Sequence, residues 1–249
     1  MKRYLVIFVS LFLSISLLGC LYQSKSEQWY FKRKGNGETS TPYTEDFFKK
    51  TNSYWKDTSG EKTIYLTFDA GYINENVIQI LDILKEEDVQ GAFFILGHPL
   101  LNDTDVVKRM KQDGHLVCNH TKNHKDISSM TKGELTKNLF DLEKLYEEKT
   151  GEKMDKYFRP PEGKFSEESL IAIKECGYKN IFWSFAYADW DNQNQMSQAK
   201  ALKKLKENLH SGEILLLHPT SKTNASILRD FIHYAKEQGY LFSTLEKLK

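Results

Sequence analysis

Residues 63–96 read TIYLTFDAGYINENVIQILDILKEEDVQGAFFIL, and the architecture follows from this stretch. The β-branched and aromatic run at 64–68 predicts a buried strand. Apolar residues at 77, 80, 81 and 84 follow helical spacing and predict a helix over 76–85. A second apolar run, 92–96, predicts the next strand. Strand, helix and strand in so short a span imply two parallel strands joined by a right-handed crossover.

The same rhythm continues outward. Strands are predicted at 116–118, 156–158, 180–184, 214–217 and, last, 240–243. Helices are predicted over 106–112, through Leu135, Leu139, Leu142 and Leu145 with Gly151 near the end, and over 167–175, 198–209 and 224–238. Seven βα-type units predict an α/β fold with parallel strands, as a compact barrel or an open sheet.

The chain has 249 residues, 40% of them hydrophobic, which excludes a disordered chain and supports a sizeable core. Lys+Arg 35 against Asp+Glu 34 gives a net charge of +1, so no basic field points to nucleic acid. Residues 21–60 are polar with scattered aromatics and read as a tether that packs onto the body at 61–249, with a short helix near 45–50. At the start, Lys2 and Arg3 precede an apolar run from 4 to 18 that ends Leu17-Leu18-Gly19-Cys20. The run is short for a bilayer-spanning helix and reads as a secretory signal over 1–20; a retained signal anchor is the alternative. Leu-x-Gly-Cys resembles a bacterial lipobox, which would leave Cys20 lipidated on an exported protein at the outer face of the membrane. Cys118 and Cys176 are expected as buried thiols, with a disulfide as the alternative. A monomer is expected.

Residues with chemical capacity fall at strand ends. Asp69, His98, His120 to His124, Arg159 to Gly163 and His218 follow five of the predicted strands, and Asp189-Trp190 lies beyond another. In parallel α/β folds, loops at the carboxyl ends of strands build the active site. His120 and His124 have i, i+4 spacing, which places two metal ligands on one face of a helical turn. A divalent metal there can polarise a carbonyl, Asp69 can act as base toward water, and His218 can protonate a departing amine. Arg159 can hold a carboxylate, and Asp189 can orient His218. Together these parts describe metal-assisted hydrolysis of an amide or ester.

Five separated motifs resemble, in order, those of the polysaccharide deacetylases, carbohydrate esterase family 4. They are Thr67-Phe68-Asp69, His120-Thr121-x-x-His124, Arg159-Pro160-Pro161-x-Gly163, Asp189-Trp190 and Leu215-Leu216-Leu217-His218. The resemblance implies a distorted (β/α)7 barrel and metal-dependent removal of acetyl groups from sugars. It assigns Asp69 as base, His218 as acid, Arg159 and Asp189 as their partners, and His120 and His124 as ligands of a divalent metal, with zinc expected. It also implies that Glu162, Gly163 and Trp190 meet the substrate. Ala70 stands where the family usually has a second Asp, so one anionic ligand is missing and a weaker metal site is expected. Glu162 replaces the usual aromatic of the third motif. Thr67 to Tyr72, Phe182-Trp183-Ser184 and Asn194-Gln195 are further similar to the N-acetylmuramic acid de-N-acetylases of spore-cortex δ-lactam formation. That resemblance implies an exported amide hydrolase acting on peptidoglycan glycan strands. A deacetylase of N-acetylglucosamine polymers and a non-catalytic glycan-binding wall protein are the alternatives.

Overall fold

The apolar run that opens the regular part of the sequence becomes the pivot of the sheet. The computed structural model describes residues 25–34 and 38–249; the expected signal segment 1–20 and Cys20 lie outside the described residues. The N-terminal part holds β1 (Glu27–Gln28), β2 (Lys32–Arg33), β3 (Thr39–Ser40), α1 (Glu45–Thr51) and β4 (Ser53–Tyr54). The alternating part begins with β5 (Thr63–Ala70), α2 (Glu75–Glu86), β6 (Gly91–Ile95), α3 (Gly97–Asn102), α4 (Thr104–Gln112) and β7 (Leu116–Asn119). It continues through α5 (Lys132–Thr150), β8 (Asp155–Phe158), β9 (Lys164–Phe165), α6 (Glu167–Glu175) and β10 (Lys179–Ile181). It ends with α7 (Gln198–Asn208), β11 (Glu213–Leu217), α8 (Lys222–Glu237) and β12 (Leu241–Phe242).

The main sheet runs β11-β5-β6-β7-β8-β10-β4, with every neighbouring pair parallel. Phe185 bridges to Leu215 and Lys56 to Glu213 across the remaining gap, so the sheet curls into a distorted barrel. The final strand differs from expectation. β12 is two residues long, pairs with the first residues of β5 and adds nothing to the path. The far edge is taken instead by β4, which lies within the stretch read as a tether.

Period-two alternation sorts the barrel. Tyr65, Phe94, Cys118, Ile181 and Ile214 share one buried cluster with Leu245 and Leu248 near the C-terminus, filling the interior. Ile64, Leu66, Phe68 and Ala70 point the other way, into the core beneath α2, α7 and α8. Local chemistry fixes the helix ends. The Asn74 side chain accepts from the N–H groups of Asn76 and Val77 at the start of α2, and Thr131 with Glu134 forms a capping box on α5. Cys118 and Cys176 are free thiols. Among the described residues, no helix is long and apolar enough to cross a membrane.

The N-terminal part is held by aromatic stacking. Trp29 lies 4.5 Å from Phe182 and 5.5 Å from Tyr43, ring centroid to centroid, and Phe47 and Phe48 join the same cluster. β1 pairs antiparallel with β9, far away in sequence.

Candidate active site

Five of the seven strands on the barrel path lead to an inward-facing residue at the carboxyl mouth. Two positions beyond Thr67, Cys118, Tyr157, Ile181 and Leu216 stand Asp69, His120, Arg159, Trp183 and His218. All except Arg159, which lies fully buried beneath them, open on one cleft of about 770 Å³.

Arg159 is 0% exposed. Its Nη1 donates to Asp69 Oδ1 at 2.8 Å, and its Nη2 donates to Thr67 Oγ1 at 2.8 Å and to the Phe182 carbonyl at 3.3 Å. Its Nε donates to the Ile181 carbonyl at 3.1 Å, and the guanidinium carbon sits 4.2 Å from the Phe94 ring centroid. A buried cation so fully bonded is a fixed positive charge under Asp69. Burial alone would raise the Asp69 pKa. The charge of Arg159, with the neighbouring His120 and His218 rings, outweighs burial and holds the carboxyl below its ordinary value. Asp69 is therefore ionised at neutral pH and able to take a proton.

His120 Nδ1 lies 2.8 Å from the Arg159 carbonyl, which can only accept, so this nitrogen carries the proton. The lone pair of Nε2 then faces the cleft, 3.6 Å from Asp69 Oδ2. Burial pulls the His120 pKa down to about 4, keeping the ring neutral, as metal ligation requires. His124 is exposed, and its ring centroid is 5.1 Å from that of His120. The expected helical turn between them is not formed. The segment is irregular, and left-handed backbone at Thr121 (φ 67°) and His124 (φ 54°) brings the two rings together.

The acid side is equally ordered. Asp189 Oδ1 accepts from His218 Nδ1 at 2.7 Å, so Nε2 of His218 is turned away from Asp189. Oδ2 accepts from the His218 N–H at 2.8 Å and from Asn224 Nδ2 at 2.6 Å. The Tyr187 hydroxyl donates to Asn224 Oδ1 and so fixes the orientation of that amide. Burial opposes a charge on His218, but the hydrogen bond and charge of Asp189 outweigh it and raise the pKa above the ordinary histidine value. One face of the cleft thus offers an ionised carboxylate and another an imidazole that holds its proton more tightly than a free histidine.

Trp190 is 62% exposed, lines the cleft and meets the His218 ring edge-on at 6.1 Å between centroids. Glu162 also lines it, in left-handed backbone (φ 55°), paired with Lys164 at 2.6 Å. Gly163 does not. It is buried at φ 66°, and a Cβ there would lie 2.9 Å from both the Trp183 ring and Trp29 Cβ. Its N–H donates to the Pro160 carbonyl, and its lack of a side chain admits the close approach of Trp29 and Trp183. His98, on α3, is exposed and does not line the cleft. Ala70 is fully buried on the face of β5 opposite Asp69.

Sequence reasoning missed Gln28 and Phe31, which line the cleft from the N-terminal part, and Asn224, which holds Asp189. Trp183, which stands two positions beyond the interior Ile181, follows from period-two alternation along β10.

The donors available to a divalent metal are His120 Nε2, His124 and the oxygen of Asp69 that Arg159 leaves free. Among the described residues no group of three or more His, Cys, Asp or Glu side chains is placed to hold a metal ion, so Asp69 does not complete a three-ligand set with the two histidines. Two imidazoles, one already oriented by the Arg159 carbonyl, fit an open site whose other positions go to water or substrate.

This barrel, with an ion-paired carboxylate and a carboxylate-bound imidazole at its carboxyl mouth, defines a hydrolase of the carbohydrate esterase class. The polysaccharide deacetylase family model matches residues 56–181, and the chain belongs to that family. It is 36% identical over 222 residues to the peptidoglycan-N-acetylmuramic acid deacetylase PdaA of Bacillus subtilis, covering 88% of this chain and 84% of that protein. The solved structure of that PdaA, a family 4 carbohydrate esterase, matches with a TM-score of 0.86 over 90% of this chain and 97% of the other. A peptidoglycan-N-acetylglucosamine deacetylase of Bacillus cereus is 32% identical over 200 residues, 78% of this chain and 91% of that protein. A family 4 pseudoenzyme from Bacillus anthracis matches at 26% identity and a TM-score of 0.73, over 79% of this chain and 68% of that one.

Proposed function

We propose that the protein is a peptidoglycan de-N-acetylase that hydrolyses the acetamide of N-acetylmuramic acid. The observation that carries this is the pair of polar couples at one cleft, Arg159 with Asp69 and Asp189 with His218. A glycan-binding module needs neither a charge-held base nor a protonated acid.

Asp69 takes a proton from water through Oδ2 as the oxygen adds to the acetyl carbon. His218 then gives its proton to the amide nitrogen, the C–N bond breaks, and acetate and a free amine leave. Arg159 keeps Asp69 ionised and oriented, and Asp189 keeps His218 protonated and aimed. Bound by His120 and His124, a divalent ion, with zinc expected, would polarise the acetyl carbonyl.

Similarity to PdaA supports muramic acid as the sugar. The freed amine would then share a sugar with the lactyl carboxylate, the two groups that a later condensation joins into a δ-lactam in spore cortex. Similarity to the Bacillus cereus protein supports a second reading, deacetylation of N-acetylglucosamine. The N-terminal sequence supports export and attachment to the outer face of the membrane, by a lipid on Cys20 or by a retained anchor. Gln28 of the cleft wall is only eight positions along the chain from Cys20, a reach of at most about 29 Å. Such an anchor would keep the site on glycan close to the membrane.

The test is acetate release from peptide-stripped peptidoglycan, with identification of the deacetylated sugar. Muramic acid supports the proposal, glucosamine supports the second reading, and no acetate from either sinks the enzymatic one.

A further inference from the structure

The strap at 27–31 is not positioned like a passive linker. β1 pairs with β9 in the register Glu27 to Phe165 and Gln28 to Lys164. The Trp29 N–H donates to the Gly163 carbonyl at 2.7 Å, and its indole Nε1 donates to the Trp183 carbonyl at 3.0 Å. Trp29 is 6% exposed and stacks on Phe182. Four independent contacts therefore pin the strap against the two segments that carry Glu162 and Trp183.

That anchorage leaves the neighbours of Trp29 facing the cleft. Gln28 is exposed and Phe31 half-buried, and both line the same cleft as Asp69, His120 and His218. Gln28 Nε2 reaches the Glu162 carbonyl at only 3.4 Å, and its Oε1 accepts no hydrogen bond among the described residues. The carboxamide is thus free to bond a hydroxyl or acetamide, and the Phe31 ring offers an apolar face to a pyranose. At about 770 Å³ the cleft exceeds what one sugar ring requires.

We propose that Gln28 and Phe31 form a subsite for the sugar adjoining the one whose acetamide meets Asp69 and His218. The strap then makes the protein a reader of glycan chains and not of single amino sugars. This rests on the reading of the protein as a glycan deacetylase.

The test uses the full chain carrying Gln28→Ala or Phe31→Ala, with Phe31→Tyr as a conservative control. A single N-acetylated amino sugar, which lacks the adjoining ring, and glycan hexasaccharides are compared in steady-state deacetylation, and their binding is measured by calorimetry in an Asp69→Asn background. We expect each alanine variant to raise KM and Kd for the hexasaccharide about threefold to tenfold, the loss of one hydrogen bond or one stacked ring. Hexasaccharide kcat and monosaccharide kinetics should stay within error, the thermal midpoint should hold in Gln28→Ala and fall in Phe31→Ala, whose ring also packs on the core, and Phe31→Tyr should restore wild-type values. Unchanged hexasaccharide KM and Kd, or equal losses on both lengths, would overturn the subsite. Loss of hexasaccharide binding in a protein that releases no acetate would leave the subsite standing and remove the enzymatic reading.

Discussion

Arg159 Nη1 donates to Asp69 Oδ1 at 2.8 Å, and this contact selects the oxygen that can act. Oδ1 is occupied from below by a buried cation, so Oδ2, 3.6 Å from His120 Nε2, is the one presented to the cleft. Asp69→Asn keeps the shape but cannot take water's proton. Turnover should fall by about 10²–10⁴-fold or more, with the far-ultraviolet dichroism spectrum intact. The midpoint should fall as well, since the Arg159 charge loses its partner. Wild-type acetate release from this variant would remove Asp69 as the base.

Asp189 raises the proton affinity of His218, and the acid works only when protonated. Activity is therefore present below the His218 pKa and lost as pH rises through it. Asp189→Asn removes the carboxylate, so the basic limb of the kcat/KM profile should move to lower pH while the maximum falls about 10²-fold or more. A basic limb that stays in place would mean that another group supplies the proton.

His120 and His124 are the two imidazoles on the Asp69 side of the cleft whose rings approach each other, and neither has a carboxylate at position 70 to share a metal with. Each His→Ala change should weaken divalent-metal binding about tenfold or more by calorimetry and abolish stimulation by added metal. Wild-type activity that survives exhaustive chelation would count against a metal at this site.

Gly163 has left-handed backbone and two carbon neighbours at 2.9 Å from where a Cβ would stand. Gly163→Ala must strain the backbone and push apart Trp29 and Trp183, at a cost of about 2–4 kcal/mol. The thermal midpoint should drop, and glycan binding should weaken with it because the strap shifts. An unchanged midpoint would show that the two tryptophans can move freely.

His115 and His210 are buried and neutral, each with its pKa pulled down to about 4 by burial. His115 Nδ1 accepts the Gly91 N–H at 3.2 Å, a bond that protonation would break. The unfolded chain takes up protons at these residues near pH 6.5 and the folded one does not. Their contribution to stability is thus complete above pH 6.5 and is lost as pH falls toward 4. Denaturant titrations across that window should show a slope of about 1.4 kcal/mol per pH unit for each residue, and His115→Gln should reduce it.

Much of the site was legible because each barrel strand carries its own period-two code. An interior apolar residue at Tyr65, Cys118 or Ile214 predicts that the residue four, two or four positions on faces the mouth, which finds Asp69, His120 and His218. Such signals are local: sterics and solvation act between near neighbours in the chain, so the pattern survives without any knowledge of the fold. The contacts that finish the cleft are not local. Gln28 meets Glu162 across 134 positions, held there by burial of Trp29, and a two-residue strand such as β1 or β4 is too short to show a period. The approach of His124 to His120 depends on two left-handed residues that have no glycine to betray them. Asn224 finds Asp189 only once α8 has docked against β11. Those placements come from collapse around the aromatic cluster and the barrel seam, where many weak contacts far apart in the chain are satisfied together.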